Sequence, residues 1–160
     1  MISDITRDVI VLGLGNPLMS DEGIGGFLVE RFLSRQQDYP QVEFLDAGTA
    51  GMSILHLIAN RKKVVFIDCA FMGAEPGSIK KFSPEDVKSV KKLAHQSLHE
   101  ADLLKIIEIS RKLGSSPEKI VIFGIEPSEI KLNMGLSKTL TARMDDYIAA
   151  ISDELLDESK

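Results

Sequence analysis

Val9-Ile-Val-Leu-Gly-Leu-Gly-Asn-Pro-Leu-Met-Ser-Asp-Glu-Gly-Ile-Gly-Gly-Phe-Leu-Val-Glu-Arg-Phe32 is the stretch that decides the fold. Its first six residues, Val9 to Leu14, are mostly apolar and partly β-branched. They stop at Gly15-Asn-Pro17, the pattern of a buried parallel strand running into a turn. Past the turn, Ile24, Phe27, Leu28 and Phe32 recur at helical spacing with Glu30, Arg31 and Ser34 on the other face. An amphipathic helix is expected over about 22–36.

The alternation continues downstream. Val42–Leu45 reads as a second strand, Asp46-Ala-Gly-Thr-Ala-Gly51 as a turn, and Met52–Ile58 as a short helix. Val64-Val-Phe-Ile-Asp68 is a third strand. Ser78-Ile-Lys-Lys-Phe82 alternates apolar with polar residues, as a half-exposed antiparallel edge strand does. Ser83-Pro-Glu-Asp86 opens a helix to about Leu93, and Ser97-Leu-His-Glu100 is a capping box opening another to Leu113-Gly114. Ile120-Val-Ile-Phe123 is the last core strand. Ser137 caps a C-terminal helix reaching about Leu155, after which residues 157–160 fray. Strands separated by helices need right-handed crossovers. The expected fold is therefore α/β, a three-layer α/β/α arrangement on a mostly parallel twisted sheet of about five strands, in one domain over residues 1–160.

Composition bounds the function. A chain of 160 residues with 44% hydrophobic content fills one core and leaves no room for a second module. The single Cys excludes an internal disulfide and fits a reducing compartment, and the N terminus lacks the basic start and apolar run of a signal peptide. A cytoplasmic location is expected. No apolar stretch approaches the ~20 residues of a membrane span, and the net charge of −5 argues against nucleic acid as the main ligand. Small molecules, metals and protein partners are left.

Ligands of open α/β sheets sit beyond the carboxyl ends of the strands. Three metal-ligand types fall there: Glu22 (with Asp21 beside it) at the start of the first helix, Asp68 ending the third strand, and His99 in the first turn of the helix opened by Ser97. Asp68 follows four apolar residues, where an ionised carboxylate is costly unless a cation or donors meet it. A helix-start His is held neutral by the macrodipole, the form a metal needs. Two carboxylates and one imidazole suit nickel, zinc or cobalt better than calcium or magnesium, which want more oxygens. Cys69 points to the opposite sheet face from Asp68 and is expected to be inert core. The i, i+4 pair His95 and His99 would share a helix face, but Ser97 as N-cap leaves His95 outside the helix. His56 reads as a packing residue.

Other motifs fail. Gly13-Leu-Gly15 opens like a dinucleotide fingerprint, yet position 18 is Leu where the third Gly belongs. The sequence holds no P-loop, no G-x-S-x-G elbow and no H-E-x-x-H. Peptidyl-tRNA hydrolases share Gly-Leu-Gly-Asn-Pro after a first strand, but here no His precedes His56, so their catalytic imidazole is missing.

Taken together, Gly13-Leu-Gly-Asn-Pro-Leu-Met-Ser-Asp-Glu-Gly-Ile-Gly25, Asp46-Ala-Gly-Thr-Ala-Gly51, Ile67-Asp68, Ser97-Leu-His99, and Gly124-Ile-Glu-Pro127 followed by Gly135-Leu-Ser137 resemble the nickel-iron hydrogenase maturation endopeptidases in order and approximate spacing. The resemblance implies a phosphorylase/hydrolase-like fold and removal of the C-terminal extension of a hydrogenase large-subunit precursor after nickel insertion. It maps the family's three nickel-binding positions onto Glu22, Asp68 and His99. The nickel is expected to be carried by the substrate, so the free enzyme need not hold metal, and zinc, cadmium or cobalt could stand in for it in vitro. Catalysis is assigned to Asp68, Glu22 and Asp46: Asp68 or Asp46 serves as general base, or the nickel itself activates the water. Formal grouping with aspartic-type peptidases follows from these carboxylates. Asn16, Gly48 and Thr49 are expected to touch the peptide. A rival reading keeps the nickel trio but makes the chain a non-cleaving hydrogenase chaperone.

Overall fold

Five strands, β1 (Val9–Leu14), β2 (Val42–Gly48), β3 (Lys63–Cys69), β4 (Ile79–Phe82) and β5 (Lys119–Ile125), form one sheet in the order β2-β1-β3-β5-β4. The computed structural model describes residues 6–48, 50–90 and 98–157. β2, β1, β3 and β5 are parallel, and only the β4–β5 pair is antiparallel. β4 carries Lys80 and Lys81 on its exposed positions, which keeps an open sheet edge from pairing with another chain. Every residue of β3 is buried, as a central parallel strand covered on both faces must be.

Helices cover both faces. On one, α1 (Ile24–Leu33), the short α5 (Lys138–Thr141) and α6 (Met144–Leu156) pack Leu28, Phe32, Leu140, Tyr147 and Ile151 onto Val11, Val65, Ile67 and Phe123. On the other, α2 (Ile54–Ile58), α3 (Pro84–Val90) and α4 (Leu98–Lys112) pack Ile58, Val87, Leu103 and Ile107 onto Leu12, Val64, Phe66 and Ile122. The period-two alternation of each strand thus feeds two separate apolar layers. Among the described residues no helix is long and apolar enough to cross a membrane.

α1 lies unusually close to the sheet. A Cβ on Gly25 would stand 2.5 Å from the carbonyl oxygens of both Leu14 and Ile67. Only glycine lets the helix backbone reach β1 and β3 directly, which pins the turn preceding α1 to the ends of those strands.

Two elements differ from the pattern read in the sequence. β2 does not stop at Leu45 but continues through Gly48, because Asp46 still pairs with Gly13 and the register shifts only after it. The expected single C-terminal helix is two, broken at Ala142 and Arg143. Arg143 leaves helical geometry with φ −109°, and its guanidinium donates to the Gly77 carbonyl at 2.8 Å, where the Tyr147 hydroxyl also donates at 2.7 Å. Ser137 is the N-cap as expected, accepting from Leu140 N at 3.3 Å. Ser83 and Asp86 form a reciprocal capping box at the start of α3, at 3.1 and 3.3 Å. Residues 91–97, including His95 and the Ser97 cap, lie outside the described residues.

At the amino edge of the sheet, Glu154 of α6 is buried against three ammonium groups. It pairs with Lys63, with Lys81 at 3.1 Å and with Lys119 at 3.6 Å. Burial alone would push its pKa up; the hydrogen bonds from Lys63 and Lys81 and the charges of Lys63 and Lys119 outweigh it and hold the carboxyl below its ordinary value. A depressed folded-state pKa stabilises the protein above the unfolded value, and that stabilisation is lost as pH falls through the folded one. Urea midpoints of the wild type should therefore drop more steeply below about pH 4.5 than those of Glu154→Gln, which has no such proton to bind. Parallel curves would contradict the assignment.

Candidate active site

β1 sends the chain to β2 on one side and has β3 on the other, so the loops leaving β1 and β3 diverge and open a crevice between them. The first loop turns at Gly15, whose φ of +107° suits glycine and whose Cβ would lie 2.0 Å from the Glu22 carbonyl oxygen. A 3-10 turn over Ser20–Gly23 then packs against β3. This turn carries Glu22, half-buried, with its Cγ beside Gly15. At the end of β3, Asp68 is 5% exposed and faces the α4 side, lining an apolar pocket with Met72, Phe82, Val87, Leu103 and Gly124.

The electrostatics of Cys69 show how much negative charge gathers here. Its thiol is buried, and burial raises its pKa first; the charges of Asp68, Asp21, Glu22 and Glu126 raise it further, far above the ordinary thiol range. Cys69 packs in the layer under α1 and α6 and stays a protonated core residue, as its position next to Asp68 led one to expect. Four carboxylates thus lie within electrostatic reach of this strand end.

Two of those four are anchors. Asp21 is fully buried, and its carboxylate accepts from Ser128 N and Glu129 N at 2.9 Å each, from Ser137 N at 2.7 Å and from Ser137 Oγ at 2.8 Å. Adjacent Ser20, buried with φ +51°, receives further ties: its N donates to Asn133 O at 2.8 Å and its Oγ to Lys131 O at 2.9 Å. The loop after β5 is thus laced to the turn that holds Glu22. Glu126 is also buried, and its Oε1 accepts from Met72 N at 2.9 Å and Ala74 N at 2.8 Å, shaping the chain that leaves β3 just past Asp68. Sequence reading took Asp21 for a companion of Glu22 and did not single out Glu126. Its one signal was an acid inside Gly124-Ile-Glu-Pro127 directly after a core strand.

The remaining residues are spread around the same rim. Asp46 and Ile67 both pair with Gly13, so Asp46 shares a sheet face with Ile67, and Asp68 faces the other way. Asp46 is exposed on the α1 side: a Cβ on Gly26 would stand 2.7 Å from its Oδ2, while its Oδ1 accepts from Gly48 N at 3.0 Å. Gly48 O in turn accepts from Gly15 N at 3.1 Å, joining the ends of β1 and β2. Asn16 builds the first loop, its Oδ1 accepting from Leu18 N at 2.9 Å. Thr49 lies outside the described residues. His99 sits in the first turn of α4, one turn before Leu103, but its side chain lies outside the described part. Among the described residues no three His, Cys, Asp or Glu side chains form a metal-holding group. The structure thus brings Glu22 and Asp68 to neighbouring strand ends and puts Asp46 across the sheet.

A model of the hydrogenase maturation proteases matches residues 27–154. The chain belongs to that family. Hydrogenase 2 maturation protease of Escherichia coli is 32% identical over 140 residues, covering 86% of this chain and 84% of that protein. Hydrogenase expression/formation protein HoxM of Cupriavidus necator is 28% identical over 148 residues, covering 92% and 73%. The solved hydrogenase maturating endopeptidase HybD from E. coli superposes with a TM-score of 0.81 at 28% identity, over 94% of this chain and 93% of that one. As a hydrogenase maturation protease, the chain is a hydrolase, an endopeptidase that processes the C terminus of a hydrogenase large subunit. A family of proteases also sets aside the non-cleaving chaperone and the tRNA hydrolase.

Proposed function

We propose that this protease trims a nickel-iron large-subunit precursor once nickel is in place, and that Glu22, Asp68 and His99 bracket the nickel carried by that substrate. The observation that supports this best is the arrival of Glu22 and Asp68 at the ends of adjacent strands, on either side of the crevice at the switch point. Two carboxylates with positions left open suit a borderline divalent ion that already has ligands of its own. His99 belongs to α4, four residues before Leu103, whose side chain shares a pocket with Asp68.

Nickel held by the substrate would polarise the scissile carbonyl or lower the pKa of a nearby water. Asp68, buried and lining an apolar pocket, is suited to take a proton from the attacking water and pass it to the departing amine as the C–N bond breaks. Glu22, closer to solvent, holds and orients the ion. Asp46, on the opposite face, is left to guide the arriving peptide together with Asn16, Gly48 and Thr49.

The decisive measurement is the mass of purified precursor, nickel-loaded and nickel-free, after incubation with this protein. Only the loaded form should lose a C-terminal peptide; Glu22→Gln, Asp68→Asn and His99→Ala should each stop that loss, and His95→Ala should not. Equal cleavage of the nickel-free form would overturn the role of the metal. Full activity in two of the three trio variants would overturn the site.

A further inference from the structure

Nine large apolar side chains stand exposed among the described residues, and their distribution is uneven. Leu33, Leu113 and Leu156 sit singly at helix ends along the amino edge of the sheet. The other six, Leu18, Met52, Phe71, Ile130, Leu132 and Met134, all lie in loops that follow the carboxyl ends of parallel strands. Leu132 and Met134, at 83% and 74% exposed, are the most prominent on the carboxyl side.

These two are held out by a pinned backbone. Asn133, between them, accepts from Ser20 N at 2.8 Å and donates to Leu18 O at 3.0 Å, in a short parallel bridge with Met19. Lys131 O is fixed by Ser20 Oγ, and residues 128, 129 and 137 by Asp21. The loop backbone is tied at several points, and the two side chains stay exposed on it. Scattered exposed apolar residues are ordinary, but an apolar ridge on a rigid support marks a place for a partner.

We propose that Leu18, Ile130, Leu132 and Met134 form a docking ridge for the folded body of the hydrogenase precursor, beside the tail that enters the crevice. This rests on the reading above that a nickel-loaded precursor is the substrate. The ridge is continuous with the candidate site, since the bridge at Met19 and Asn133 leads directly into the turn that carries Glu22. A folded substrate that brings its metal centre to that turn arrives beside these residues. Lys131 pairs with Glu129 at 3.4 Å, leaving the ridge without net charge and suited to an apolar counterpart.

The test is the double variant Leu132→Ser/Met134→Ser. Both positions are exposed, so its melting temperature should match the wild type. With purified nickel-loaded precursor, KM should rise at least tenfold while the rate at saturating precursor is kept. Binding of immobilised precursor by the same double variant in an Asp68→Asn background should weaken equally. Unchanged KM and binding would overturn the proposal, as would a wild-type dimer dissolved by the double variant, which would make a second copy of this chain the occupant. If the double variant loses binding while the wild type cleaves nickel-free precursor as fast as the loaded form, the ridge stands and the nickel-dependent reading falls.

Discussion

Asp68→Asn should lower the rate of precursor cleavage by roughly a thousandfold or more, the span associated with losing a positioned acid–base group. The substitution conserves shape at a site that is 5% exposed, so the fold should survive and the loss should appear in turnover. Asp46→Asn should cost far less. Its carboxylate lies across the sheet, two strand spacings or roughly 10 Å from β3. Time courses followed by mass spectrometry of the large subunit separate the two variants, and near-wild-type turnover of Asp68→Asn would remove that residue from the chemistry.

Asp21→Ala should have the largest effect on stability. It strips the acceptors from three backbone N–H groups and the Ser137 hydroxyl around a fully buried site. Leaving such donors unmet costs roughly 3–5 kcal/mol in all, which for a chain of this size lowers the melting temperature by about 10 °C. Asp21→Asn should fall between, since an amide keeps one acceptor but turns an N–H2 toward a donor. Chemical denaturation of both variants checks the order. A melting temperature within ~2 °C of wild type for Asp21→Ala would mean that water replaces the carboxylate without penalty.

The parts of this architecture that could be read from sequence are those with local causes. The strand, turn and helix over residues 9–33, the buried third strand and the antiparallel edge strand all follow from periodicity and strand-end residues. That Glu22 and Asp68 fall beyond the carboxyl ends of neighbouring strands then follows from topology alone. What could not be read depends on partners remote in the chain. Asp21 and Glu22 are neighbouring acids in one turn, and nothing local distinguishes an anchor from a candidate ligand. The groups that bind Asp21 are 107 to 116 residues away. Asp46-Ala-Gly48 has the composition of a turn, yet pairing with β1 keeps it in the sheet. The break before α6 answers to the Gly77 carbonyl, which no helical pattern contains.

The lacing of residues 128–137 onto Ser20 and Asp21 bears on any attempt to redirect this protease by exchanging loops with a relative. Two segments that look like separate cassettes in the chain are one mechanical part. A chimera that imports only the second would inherit foreign side chains on a support cut for the original. Recombination points that carry both together are the ones that should yield folded, retargeted enzymes.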